Sequence, residues 1–297
     1  MNGSREPNLT DPPMSENEAV SIPEPDDIGD EDHQTPYRDI LRGEMRTALR
    51  EFDRPTSGLF MSSLSAGLDI GFGPFLMAVF STLAGDSLTQ PVLELILAGL
   101  YSVGFLFVIL GRSELFTEHT TMAVLPVLSR QADIGDLARV WGVILLGNLL
   151  GAVAFSALAS FVGRQLGIVD SEALTAIADT LTGHPWWVVL LSAILAGWIM
   201  GLLTWLVGAA RDTISQLVLI VIVAGSIGLA SLHHSIAGSV EMLFGVFSGS
   251  TTAGAFFAFL VWAILGNAFG GTVFVALLKY SHVVRSQPDS EAEPARD

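Results

Sequence analysis

Apolar residues in this chain come in long blocks rather than in alternation. Six blocks can be traced: about 58–82, 91–128, 138–163, 186–210, 214–247 and 254–280. A stretch of about 20 apolar residues, wound as a helix, matches the hydrocarbon thickness of a bilayer. The pattern predicts an all-α membrane protein with six transmembrane helices. Two blocks are interrupted by polar residues. The second is broken at Gly111-Arg112-Ser113-Glu114, and the fifth at His233-His234. An unwound stretch inside lipid leaves N–H and C=O groups unpaired, so it survives only where protein buries it or water reaches it. The interruptions at 111–119 and 231–239 are therefore expected to face inward, on a pathway.

A repeat accompanies the breaks. Leu146-Gly147-Asn148-Leu149-Leu150-Gly151 in the third block and Leu265-Gly266-Asn267-Ala268-Phe269-Gly270 in the sixth both read L-G-N-x-x-G. The broken second and fifth blocks stand in the same relation, three blocks apart. An odd number of spans per unit forces the halves to insert in opposite senses, which is an inverted 3+3 repeat. Broken helices at corresponding positions are the best sequence pointer to a transport site.

The polar remainder divides the chain. Residues 1–35 form an acidic tail expected to be disordered, with Glu24, Asp26, Asp27, Asp30, Glu31 and Asp32 close together. Within 36–55, Arg38, Arg42, Arg46 and Arg50 recur every fourth residue and share one helical face. That amphipathic segment is expected to lie along the cytoplasmic membrane surface, with Leu41 and Phe52 among its few apolar contacts. Residues 56–282 form the pore domain and 283–297 a polar tail. Arginine and lysine crowd the connections on one side (Arg38 to Arg54, Arg130, Arg139, Arg211, Lys279, Arg285), and only Arg164 lies on the other. Both termini are predicted to be cytoplasmic, in a multi-pass cell-membrane protein. No signal-peptide pattern occurs in the first 50 residues.

Overall, 51% of residues are hydrophobic and 15% charged, against roughly 25% charged in soluble domains. The formal net charge of −16 sits largely in the N-terminal tail, which disfavours nucleic acid as a partner. The absence of cysteine excludes disulfides and thiolate chemistry. No zinc-protease, P-loop or nucleophile-elbow motif occurs, so no enzymatic activity is assigned.

His234 is the leading candidate for function, because it is ionisable at membrane depth, at a break, and able to change charge near neutral pH. His233 beside it would point elsewhere on a helix, in a structural role. Thr117 offers a hydroxyl to an anion or to a histidine nitrogen. Leu115 and Phe116 can narrow a path and hold back water. Asn148 and Asn267 can satisfy backbone groups freed at the breaks, with Gly147 and Gly266 allowing close helix contact. Asp69, Glu114 and His233 are further candidates, and Glu118 and His119 lie beside Glu114. Acidic groups repel an anion, so Glu114 is expected at the cytoplasmic mouth, paired with Arg112, or protonated. Three rival readings stand beside an anion permease. They are a pore for a small neutral solute, a non-transporting scaffold or sensor, and a membrane enzyme or metal protein using His233, His234, Glu241 and Asp69.

Taken together, Leu115-Phe116-Thr117, the two G-N-x-x-G motifs and His234-Ser235-Ile236-Ala237 resemble the formate/nitrite transporter family over residues 55–282. The resemblance implies an aquaporin-like fold with broken second and fifth helices, and a homopentamer with one pore per protomer. It implies a central histidine and threonine, here His234 and Thr117, between two narrowings. Leu115, Phe116 and Phe105 would line the cytoplasmic one, and Tyr101 and Ile227 the outer one. It implies small monovalent anions or their weak acids as substrates, of the formate, nitrite, hydrosulfide or acetate type, and neither metal nor cofactor. The chain departs from the family's F-E-H-S-I-A-N-M, reading Leu232-His233-His234-Ser235-Ile236-Ala237-Gly238-Ser239. A fourth-span asparagine of the family falls, on this reading, at Gly197, and Asp69 is unusual in the first span.

Overall fold

The computed structural model describes residues 35–285. The acidic tail before Thr35 and the polar tail after Arg285 lie outside the described residues. Every regular element among the described residues is helical. Helix α1 (Tyr37–Asp53) precedes a first span made of α2 (Thr56–Asp69) and α3 (Phe72–Ala84). The second unit contains α4 (Gln90–Gly111), α5 (Phe116–Met122) and α6 (Val124–Leu128). The long α7 (Ile134–Gln165) leads to the short α8 (Ser171–Asp179), and α9 (Trp186–Ala209) follows. The next pair, α10 (Thr213–Leu229) and α11 (Ala237–Ser248), is again separated by non-helical chain. A last run joins α12 (Ala253–Gly271), a π-helical stretch (Thr272–Leu277) and α13 (Leu278–Arg285).

Among the described residues, five helical runs are long and apolar enough to cross a membrane, at Thr56–Ala84, Gln90–Gly111, Ile134–Gln165, Trp186–Ala209 and Ala253–Arg285. Individually, α10 and α11 are too short for that. Both expected interruptions are real. α4 ends at Gly111 with Arg112 in the left-handed conformation (φ 55°), and α10 ends at Leu229 with Ser231 likewise (φ 47°).

Helix starts follow the local chemistry. Asp133 caps α7 in a reciprocal box with Asp136, while Asp212 and Thr252 accept from the backbone N–H three residues on. Such caps satisfy donors that the helix itself leaves unpaired. The tightest packing is α2 on α7, α9 on α12, and α4 on α10. The backbones touch in the first two pairs. A Cβ on Gly67 would collide with the Asn148 carbonyl, and one on Gly197 with the Asn267 carbonyl. Gly197 therefore has no room for asparagine, and a family side chain assigned to that position cannot be accommodated there. The half-helices cross between these pairs: α5 packs on α9 and α12, and α11 on α7 and α8.

The amphipathic segment is placed differently from expectation. Its arginines at 38, 42, 46 and 50 are exposed. Ile40 and Leu41, however, are buried in a cluster with Val124, Leu125, Trp205 and Val283. Its apolar face thus caps the bundle rather than resting in lipid, because α6, α9 and α13 end together there and leave an apolar floor to cover.

Candidate functional site

Each break is held by one asparagine. At the first, the Asn148 amide donates to the Ser63 carbonyl (2.8 Å) and the Glu114 carbonyl (2.9 Å), while its Oδ1 accepts from Phe116 N–H (2.8 Å). At the second, Asn267 donates to the carbonyls of Ala193 (2.8 Å) and His233 (3.1 Å) and accepts from Ser235 N–H (2.7 Å). The two sets correspond atom for atom. Gly147 and Gly266 lie against Ser63 and Ala193, which lets each asparagine reach across. Backbone groups released by the unwound chain are thereby paired without water.

Between the breaks the chain brings His234 and Thr117 together. The imidazole is fully buried, and its Nε2 lies 2.9 Å from Thr117 Oγ1. Nδ1 accepts from the N–H groups of Ile236 (3.2 Å) and Ala237 (3.1 Å), at the start of α11. A nitrogen receiving two backbone N–H groups carries the lone pair, so the ring proton belongs on Nε2 and is donated to Thr117 Oγ1. That leaves the threonine O–H free to donate onward. The Phe105 ring stands edge-on to His234 at 5.2 Å, and Tyr101 lies 5.3 Å from Phe105. Phe105 thus borders the imidazole on the Tyr101 side. The Phe116 ring packs instead on Trp141 (5.8 Å), with Leu115 fully buried beside it.

Beyond Tyr101 and Ile227 a cavity of about 560 Å³ opens toward α8. Glu241, named at the sequence level only in the metal reading, lines it together with Glu94, Asp170 and Glu172. These were missed because a carboxylate was not expected on an anion route. The available signal was position: Glu241 falls in the opening turns of the helix that follows the His234 break.

The remaining candidates are dispersed. Glu114 binds Arg54 (3.1 Å) and His119 (2.7 Å), not Arg112, whose left-handed backbone leaves it exposed. His233 Nδ1 lies 2.9 Å from Ser192 Oγ. Asp69 accepts from Ser65 on its own helix (3.1 Å) at the outer surface of the bundle. Among the described residues, no three His, Asp or Glu side chains gather where they could hold an ion. The metal reading, which needs His233, His234, Glu241 and Asp69 together, has no such site.

An all-helical bundle with two clamped breaks around a buried imidazole defines a channel fold. The chain belongs to the formate/nitrite transporter family, whose model matches residues 38–281. It is 30% identical over 255 residues to the inner membrane protein YfdC of Escherichia coli (strain K12), covering 83% of this chain and 79% of that protein. A solved FNT family ion channel superposes with a TM-score of 0.73 at 26% identity, covering 82% of this chain and 99% of the other. A pentameric formate channel with formate bound has the same fold, with a TM-score of 0.63 at 21% identity over 77% of this chain and 98% of that one.

Proposed function

We propose that this protein is a channel or permease for a small monovalent anion or its weak acid, of the formate, nitrite, hydrosulfide or acetate class. The observation carrying this reading is the buried His234–Thr117 contact between the two breaks. Moving a bare anion through a dry waist costs heavily in desolvation. Protonation of the permeant or a well-placed donor removes much of that cost. The chain of bonds from the α11 amides through the imidazole to the threonine hydroxyl is polarised along its length, and each link strengthens the next. It presents an O–H donor to the permeant. Proton transfer from Nε2 requires Nδ1 to take up a proton and release its backbone partners, so the two events are coupled.

The family and the solved channel of the same fold support a homopentamer with one pore per protomer. Exposed Leu146, Leu150, Phe161, Leu265 and Phe269 supply apolar surface for lipid and neighbouring protomers. The arginine bias supports cytoplasmic termini in a cell-membrane protein. On this orientation Tyr101 and Ile227 form the outer narrowing, and Leu115 the cytoplasmic one.

Flux in liposomes tests the reading. Replacing His234 with alanine, or Thr117 with valine, is expected to lower formate flux by about tenfold or more, the equivalent of one buried hydrogen bond near 1.4 kcal/mol, and to flatten its pH profile. Unchanged flux and pH profile in both variants would remove these residues from the mechanism.

A further inference from the structure

Asp69 is an acid on the outward side of a membrane-spanning helix. Met61, Ser65 and Asp69 recur every fourth residue of α2, so they share one face. On that face Met61 and Ser65 are exposed and Asp69 is half-buried. Ser63 and Gly67, on the other side of α2, are the residues packed on α7. Gly67 lies against the Asn148 backbone, so Asp69, two residues on, sits near the level of the first joint. Ionisable groups at this depth normally face a bundle interior or a water-filled route, because lipid offers them no partner. Asp69 faces neither, and it lies outside the cavity beyond Tyr101. Ser65 Oγ donates to it (3.1 Å), and among the described residues no other hydrogen bond or ion pair reaches its carboxylate.

Another helix displays the hydroxyl that this face lacks. Ser226 on α10 is exposed, between exposed Ile222 and Leu229. Its hydroxyl turns back to the Val223 carbonyl (2.7 Å), a local bond that a rotating O–H can exchange for an outward one. The exposed mid-span faces of α7, α9 and α12 carry instead Leu146, Leu150, Leu191, Leu195, Leu265 and Phe269. Asp69 and Ser226 also stand at matching depth. Gly73 on the first span and Gly228 on α10 both abut Tyr101 of α4. Both spans run outward from the cytoplasmic side in the six-span arrangement. Asp69 is four residues before Gly73, about 6 Å, and Ser226 is two before Gly228, about 3 Å, so their depths differ by about 3 Å. Within one chain α4 stands between the two faces, packed on α10 and on the first span.

We infer that these two faces form the seam between copies of this chain, with Asp69 of one protomer held by the Ser226 hydroxyl of the next. The inference rests on the homopentamer proposed above and adds which faces meet in it. A closed ring joins two different faces of each copy, and rotation about the membrane normal keeps every residue at its own depth. A donor for Asp69 must therefore come from a different helix at the same level, which is what Ser226 supplies. Ser65 beside the acid is small enough to let the helices approach closely. The carboxylate then receives one hydroxyl from its own helix and one across the seam, and lipid is kept away from it.

The test uses the full-length protein in liposomes. The chain has no cysteine, so introduced thiols report only on their own surroundings. Asp69→Cys combined with Ser226→Cys is expected to give, on oxidation or with a short thiol-to-thiol linker, a ladder of covalent species up to the pentamer. Either cysteine alone, or Ser226→Cys with Leu265→Cys, is expected to give none. Asp69→Ala and Ser226→Ala are each expected to lower the pentamer-to-monomer ratio in mild denaturant by about fivefold, the worth of one hydrogen bond, and the double variant by no more than either alone. Additive losses, linkage through Asp69→Cys alone, or an unlinked Asp69–Ser226 cysteine pair within an intact pentamer overturn the seam and leave the pentamer standing. A monomeric native mass for the folded wild type overturns the homopentamer and the seam together.

Discussion

At the break after α4, Asn148 joins Ser63, Glu114 and Phe116; at the break after α10, Asn267 joins Ala193, His233 and Ser235. The joints match, but the side chains they display do not. The residue whose carbonyl is clamped is an acid in one and a histidine in the other. Glu114 is tied to His119 and, through Arg54, to Glu51 on α1. The His233 ring is held by the Ser192 hydroxyl and, among the described residues, forms no ion pair. The next residue is Leu115 in one and His234 in the other. One joint is thus braced by charge from outside the bundle, and the other keeps a polar ring at the waist. Matching scaffolds free the side chains to specialise, because the backbone is already satisfied.

The largest effect is expected from the shared part. Asn148→Ala and Asn267→Ala each strand two buried backbone groups at the break and remove a further bond to a helix carbonyl, at about 1 kcal/mol or more apiece, so each should cost roughly 3 kcal/mol. Denaturation of the detergent-solubilised protein measures this. If one variant is near neutral while the other is severe, the joints are not equivalent. Next in size, Glu114→Gln removes a partly buried ion pair to Arg54 and weakens a hydrogen bond to His119, and should cost about 2 kcal/mol. His233→Gln, which can still reach Ser192, should cost under about 1 kcal/mol. Equal losses would erase the distinction between a braced and an unbraced break.

The smallest effect concerns the brace itself. Glu44 on α1 lies over Gly208 of α9, half-buried, and burial pushes its carboxyl from 4.5 to about 7. The folded value exceeds the unfolded one, so the docked helix holds its proton where the free helix has lost it. Docking of α1 is therefore tightest below the ordinary value and weakens as pH rises from 4.5 through about 7. Hydrogen exchange at the Ile40 and Leu41 amides should report a loss on the order of 1 kcal/mol across that window. Glu44→Gln should abolish it. Persistence in that variant would assign the dependence to another group.

Much of this was legible in the sequence. Long apolar blocks announced the helices, and polar residues inside two of them announced the breaks. The repeated L-G-N-x-x-G singled out the residues found at the joints, because an amide in an apolar run needs partners. That Thr117 stands near His234 was implied by the family resemblance, while the residue types alone left the hydroxyl free to serve an anion or a histidine nitrogen. Tertiary features were less visible. The first span bends at Ile70–Gly71, where Pro74 lacks the N–H that would continue the ladder and Gly71 admits the Phe155 ring, yet its hydropathy is unbroken. The π-helical stretch after Gly271 follows from Thr121 donating to the Gly271 carbonyl (3.2 Å) and Thr272 to the Thr120 carbonyl (2.9 Å). These contacts, between residues about 150 apart, leave no local periodicity. Helix α8 is too short to give a membrane-length signal, and the orientation of Glu241 depends on where α11 emerges from its break.

The asparagine joints also bear on how throughput can vary. Each ties three separate rods to a single amide, so the aperture at the waist is set like the bore of a machined fitting. Widening it would strip several donors and acceptors at once, with no solvent nearby to replace them. On the proposed channel reading, modulation of flow is left to small rotations of Phe105 and Tyr101, or to a plug at either entrance, and solute size is judged against a nearly fixed gauge.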